Sequence, residues 1–228
     1  VHEVWVGKWK EITGFSWWIS QIHELLERAI YHLPYTRYIC VSESTKNGLL
    51  SIGINGEKVE KIYNGFDYNF WNPHNFDDEK IEKIKERLNL KKKFIYFSWG
   101  RPGPSKGFQI AIKAVPLIKK TIPNSLFLLM LGSADNYTRN VKKIKNLIQQ
   151  LHLTSEDIKI IPSVPYNELG YYIKIADCVV IPSVSEGFGY AALEGIAMAK
   201  PVVVSDAGSL PEVVSGKYQI FKNKDYTE

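Results

Sequence analysis

The second part of the chain predicts an α/β fold built on a parallel, doubly wound sheet, and three observations predict it. Short apolar runs rich in β-branched and aromatic residues recur at 94–99, 126–131, 158–161, 178–181 and 202–204. Segments with helical spacing separate them, at 107–121, 137–151, 166–175 and 188–199, and a helical turn follows near 210–214. The strand runs are continuous rather than alternating, as expected of strands covered by helices on both faces. Sheets of this kind bind ligands beyond the C-terminal ends of their strands, so the chemistry is expected on the loops that leave each strand.

The elements upstream are less regular. Residues 15–33 carry Phe15, Trp17, Trp18, Ile19, Ile22, Leu25, Leu26, Ala29, Ile30 and Leu33 at helical spacing, and Pro34 ends the run. A helix packed on a core is the plain expectation, and a membrane-surface helix is the alternative, because two adjacent tryptophans suit an interface. A short strand follows at 38–41, then a helix over 43–52 that Ser42 or Ser44 can cap. A second strand at 59–63 runs into the turn Asn64-Gly65-Phe66-Asp67. Residues 68–91 are polar, contain Pro73 and include a charged helix near 77–88, which reads as a connection between two units.

Composition sets the outer limits. The chain has 228 residues, 45% hydrophobic and 23% charged, which fits a folded globular protein and argues against disorder. Its net charge of +5 comes from dispersed lysines. Lys91-Lys92-Lys93 is the one tight basic cluster, and no aromatic-plus-basic motif points to nucleic acid. The two cysteines, Cys40 and Cys178, lie in apolar runs without metal-ligand spacing and suit a reducing, cytoplasmic setting. There Asn136-Tyr137-Thr138, formally a glycosylation sequon, carries no weight. No apolar run reaches the roughly 18 residues of a membrane span. Val1 is not a start methionine, and the natural N-terminus is expected upstream of it.

Two loops concentrate the chemistry. After the strand at 94–99 comes Gly100-Arg101-Pro102-Gly103-Pro104-Ser105-Lys106-Gly107, in which two cations bracket a rigid turn and a helix start. Such a start attracts anions, and arginine binds a diphosphate bidentately. An ordinary loop with surface charges is the competing reading. A Walker A loop fails on the order Ser105-Lys106-Gly107, and the three-glycine dinucleotide pattern is absent. After the strand at 178–181 comes Pro182-Ser183-Val184-Ser185-Glu186-Gly187-Phe188-Gly189-Tyr190, then a helix of small and apolar residues whose only charge is Glu194. A buried carboxylate of that kind needs partners. Glu186 and Glu194 are about 12 Å apart if the segment is fully helical, too far for a shared proton but suited to two ends of one extended ligand. Gly187 and Gly189 let backbone amides approach such a ligand. A helix cap plus a salt-bridged core glutamate is the structural alternative.

With Glu186 and Glu194 in the context Pro-Ser-Val-Ser-Glu-Gly-Phe-Gly, the chain resembles the family 4 retaining glycosyltransferases of the GT-B fold. Val41-Ser42-Glu43-Ser44, Asn64-Gly65-Phe66-Asp67, Gly100-Arg101 with Lys106-Gly107, Ala176-Asp177 and the segment from Asp206 through Pro211 to Val214 agree with that family in order and spacing. The resemblance spans nearly the whole chain. It implies that residues 1–70 are the tail of an N-terminal acceptor domain, 71–91 an interdomain linker, and 92–228 a nucleotide-sugar-binding domain truncated at its end.

Residue by residue, the resemblance implies that Arg101 and Lys106 hold a donor diphosphate, Glu186 contacts sugar hydroxyls and Glu194 the ribose. Gly100, Gly187, Phe188, Gly189 and Tyr190 would lie near phosphate and sugar, Ser163 and Val164 would border the base, and His2 would face the donor sugar. The implied activity is transfer of a hexose from a UDP-, GDP- or ADP-sugar to a glycan or lipid-linked acceptor, with retention, as part of polysaccharide biosynthesis in the cytoplasm. No Asp-x-Asp motif is present, so the cationic clamp is expected to serve without a metal, and no cofactor is expected. Peripheral membrane contact and self-association are further expectations. A binding module without transfer activity and a GT-B sugar-nucleotide epimerase are the rival functions.

Overall fold

A computed structural model of the chain describes residues 1–132 and 137–227, so Asn136 of the sequon lies outside the described residues. The larger unit is a six-stranded parallel sheet in the order β5-β4-β3-β6-β7-β8. Its strands are β3 (Phe94–Gly100), β4 (Ser125–Leu131), β5 (Ile158–Pro162), β6 (Cys178–Ile181), β7 (Val202–Ser205) and β8 (Tyr218–Phe221). The helices between them are α5 (Phe108–Thr121), α6 (Thr138–Gln150), α7 (Tyr166–Ile175), α8 (Tyr190–Ala197) and α9 (Leu210–Val213). The edge strand β8 was not expected from its sequence, because its residues are mostly exposed and show no buried run.

Alternate residues of the central strands feed two cores. Leu126, Leu128 and Met130 of β4, with Ile95 and Phe97 of β3, join a cluster that includes Ile173, Val179, Ala192 and Leu210. Phe127, Leu129 and Leu131, with Tyr96, join a second cluster with Phe108, Ile112, Val115 and Ile144. Every residue of β4 is therefore buried, which is the physical meaning of its unbroken apolar run. The segment 71–91 also packs on this unit: Trp71, Phe76, Ile81, Ile84 and Leu90 all belong to the first cluster. Ile81 and Ile84 lie on α4 (Asp78–Arg87), which Asp77 caps by accepting from the Lys80 amide at 2.9 Å.

The smaller unit is a parallel pair, β1 (Tyr38–Cys40) and β2 (Val59–Lys61), with α3 (Glu43–Ser51) between them. Ser42 is the cap of α3, accepting from the Thr45 amide at 3.0 Å. Its core gathers Val4, Tyr38, Cys40, Leu49, Ile52, Ile54 and Val59. Two helices precede it: α1 (Trp9–Thr13), which was not expected, and α2 (Trp17–Tyr31).

The plain expectation for α2 is corrected by the structure. Ser20 is its buried residue, while Trp17, Trp18, Ile22, Leu25, Leu26 and Ile30 are all more than half exposed. The helix docks through its polar edge instead. Glu27 accepts from the Trp5 amide at 2.9 Å and from Trp9 Nε1 at 2.6 Å, and the Tyr31 hydroxyl donates to the Glu3 carbonyl at 3.1 Å. His23 packs on the Trp9 ring at 4.8 Å. Ser20, His23, Glu27 and Tyr31 recur at the helical period, so the face that meets the protein is the polar one.

Candidate functional site

The C-terminal ends of β3 and β6 lie side by side, because the two strands pair within one sheet. The loops that leave them are tied together: the Val184 amide donates to the Ser105 carbonyl at 2.7 Å. Gly107 sits at this seam with φ +63°, and a Cβ on it would lie 1.8 Å from the Pro182 carbonyl oxygen. Only glycine allows the approach that brings Lys106 to Glu186.

The Lys106 ammonium meets Glu186 Oε2 at 2.8 Å, and the Ser183 hydroxyl donates to the same oxygen at 3.0 Å. The Glu186 backbone is fixed as well, its carbonyl accepting from the Ser209 amide at 3.0 Å. An ammonium has three donors, so one contact to Glu186 leaves Lys106 two for a ligand. Arg101 is exposed, and among the described residues no carboxylate pairs with it. The α8 N-terminus begins after Gly189, which has φ +95°, so the helix starts at Tyr190 rather than at 188 as its composition suggested.

Lys106, Glu186, Gly187, Phe188, Gly189 and Tyr190 line one cleft of about 270 Å³, together with His2, Glu3 and Asn64 from the first part of the chain. The two parts are closely fitted there. A Cβ on Gly187 would lie 2.1 Å from the His2 carbonyl oxygen, so that glycine admits the N-terminal segment. The Ser185 hydroxyl donates to the Glu3 carboxylate, and the Tyr190 hydroxyl donates to the Gly65 carbonyl at 3.3 Å. On α9, Glu212 accepts from the Glu43 and Ser44 amides at 2.8 and 3.0 Å, capping α3.

The other expected residues lie outside that cleft. Gly100 ends β3, and its carbonyl accepts from the Gly132 amide at 2.9 Å. Ser163 packs within 3.9 Å of the Cβ position of Gly132, and Val164 follows it, so both stand beyond the C-terminal end of β5. Glu194 is only 6% exposed. Its carboxyl is pushed up to about 7 by burial, against the pull of donors from Trp99 and Tyr166 and of the Lys106 charge. The sequence predicted that Glu194 needs partners without naming them. Trp99, at the end of a buried strand with an indole N–H to satisfy, was the legible clue. Tyr166 and Glu212 carried no local signal, since each acts on a partner in a distant element, whereas Ser183 acts within its own loop, three residues before Glu186. Among the described residues no three His, Cys, Asp or Glu side chains group as a metal site.

The family described as Glycosyl transferases group 1 matches residues 79–227. An uncharacterized glycosyltransferase of Methanocaldococcus jannaschii is 35% identical over 215 residues, covering 87% of this chain and 52% of that protein. A D-inositol 3-phosphate glycosyltransferase of Corynebacterium efficiens is 29% identical over 162 residues, covering 70% of this chain and 37% of that protein. The crystal structure of Anabaena Alr3699/HepE in complex with UDP and glucose superposes with a TM-score of 0.82 at 22% identity, covering 100% of this chain and 58% of that one. Sucrose-phosphate synthase from Thermosynechococcus elongatus gives a TM-score of 0.75 at 22% identity, covering 91% and 50%. The fold is of the GT-B, Rossmann-like class. The chain spans about half the length of these proteins, or less.

Proposed function

The chain belongs to the glycosyl transferases group 1, and on that premise we propose that it forms the donor-binding half of a retaining hexosyltransferase. The donor is a nucleotide diphosphate sugar and the acceptor a glycan or lipid-linked sugar. The observation that carries this reading is the cleft in which Lys106, Glu186 and the start of α8 converge at the C-terminal edge of the sheet. The binding of UDP and of UDP-glucose by the Anabaena protein supports a uridine nucleotide as the first donor to try.

In this reading Lys106 turns its free donors to the diphosphate and Arg101, exposed beside the cleft-lining residues in the same loop, adds a second cation. Breaking the glycosyl–phosphate bond puts negative charge on the leaving group, and these cations with the α8 amides stabilise it. The clamp supplies the charge that a metal would otherwise bring, so transfer proceeds without one. Glu186, held by Ser183 and Lys106, accepts from sugar hydroxyls. Glu194 accepts from the ribose, with Ser163 and Val164 beside the base and His2 facing the sugar. The acceptor attacks from the face the diphosphate leaves, and the departing phosphate takes its proton. A glycosyl group trapped on a side chain would overturn that route.

The exposed apolar face of α2 supports peripheral contact with a membrane at its cytoplasmic side. Failure to bind anionic vesicles at low salt removes it. For the donor site the test is calorimetric titration with UDP, GDP and ADP and their glucose conjugates, with and without chelator. The expected result is chelator-insensitive binding that falls at least about tenfold in Lys106→Ala and in Glu194→Ala. Binding that requires added metal, or that ignores both substitutions, sinks the reading.

A further inference from the structure

Glu194 is held by aromatic side chains that the proposed reaction does not itself use. Trp99 Nε1 donates to Oε2 at 3.1 Å, and the Tyr166 hydroxyl donates to Oε1 at 3.4 Å. Each oxygen therefore has one protein donor. The direction of the second contact is set from behind. Trp71 is 2% exposed, and its indole, which can only donate, reaches the Tyr166 hydroxyl oxygen at 3.1 Å. Tyr166 must accept that hydrogen and turn its own to Glu194. Its ring is fixed by stacking on Phe70, with centroids 5.5 Å apart and planes 6° from parallel. The Trp99 ring is stacked in turn on Phe97 at 4.9 Å.

A carboxylate offers about four acceptor positions, and two of these are filled. We propose that Trp99 and Tyr166, with Trp71 behind, are positioning residues that orient Glu194 so that each of its oxygens keeps one acceptor position for the vicinal hydroxyls of the donor's ribose. The inference rests on the donor-site reading above and adds to it the residues that make Glu194 selective. The arrangement works only when Glu194 is ionised, because a protonated carboxyl gives up one acceptor position. The titratable groups acting on it are Tyr166 from α7 and Lys106 from the loop after β3. Of the elements packed on α8, β6 brings Cys178, β7 brings none, and α9 brings Glu212, which is turned to the α3 amides.

The test is calorimetry on the 228-residue chain with UDP and 2′,3′-dideoxy-UDP over pH 5.5 to 8.5. The two nucleotides share the same diphosphate ionisation, so the ratio of their affinities isolates Glu194. The wild-type chain is expected to prefer UDP by about tenfold or more, as hydrogen bonds to a charged group warrant. The preference should grow as pH rises through the Glu194 titration. Trp99→Phe and Tyr166→Phe should each cut the preference about fivefold, leave dideoxy-UDP binding unchanged and move the midpoint to higher pH, because each removes a donor that favours the ionised form. A merely structural role would weaken both nucleotides together and leave the midpoint in place. A wild-type preference lost in Glu194→Gln but intact in both aromatic variants overturns the inference and spares the donor site. No preference in a wild-type chain that binds UDP overturns the ribose contact and the inference with it.

Discussion

The six-stranded unit and the first seventy residues answer the same kind of sequence in opposite ways. In the larger unit, apolar runs become strands buried on both faces, and Phe97 and Phe127 are fully covered. In the first part of the chain the most apolar helix, α2, turns Trp18 and Leu25 outward at 73% and 71% exposure and attaches through Glu27 and Tyr31. Apolar content therefore says that a segment needs a covered face, and only the neighbours say where the cover is. In α2 the hydrogen bonds of its polar edge dock the helix, and its apolar stripe stays exposed.

Four measurements would break or sharpen that contrast. The largest effect is expected in the buried sheet: Phe97→Ala should cost about 3–5 kcal/mol in a urea unfolding series, as cavity-forming aromatic truncations do. A loss below about 1 kcal/mol would mean that the sheet is not the stabilising unit. Next comes the buried carboxyl. Glu194 has its folded value raised from 4.5 to about 7, so the folded chain keeps a proton that the unfolded chain has released between those values. Its contribution to stability is full below pH 4.5 and is lost as pH rises to about 7, on the order of 3 kcal/mol in all. The melting temperature of Glu194→Gln should therefore gain on wild type across that interval, and parallel pH profiles would refute the burial argument.

Smaller again is the contact between the two regions. Glu212→Ala removes the carboxylate from the α3 N-terminus and should cost about 0.5–1 kcal/mol, shrinking in high salt. The smallest effect belongs to α2. Leu25→Ser, at an exposed position, should change stability by no more than about 0.5 kcal/mol while lowering vesicle binding or self-association. If Leu25→Ser destabilises as much as Phe97→Ala, the contrast between the regions fails.

Much of this was legible beforehand. The strand at 178–181 and the helix at 166–175 stand where the apolar patterns put them, because runs of β-branched residues between helical periods have few other solutions. The lone charge on α8 signalled a buried carboxylate with partners, and Glu194 has them. The edge strand β8 was illegible because an edge strand half in solvent carries no continuous apolar run. The start of α8 was misplaced because the left-handed backbone of Gly189, not the composition after it, sets the boundary.

By itself the sequence determined the parallel α/β architecture, the two loops that carry charge and the order of motifs that marks the family. These depend on local periodicity, turn chemistry and short-range spacing, all of which are written along the chain. The tertiary structure decided which groups meet: Lys106 with Glu186, Trp99 and Tyr166 with Glu194, Glu212 with the start of α3, and the polar edge of α2 with Trp5 and Trp9. Most of those pairs are dozens of residues apart or more. Their meeting follows from strand order and from glycines that let backbones touch, which no local pattern encodes.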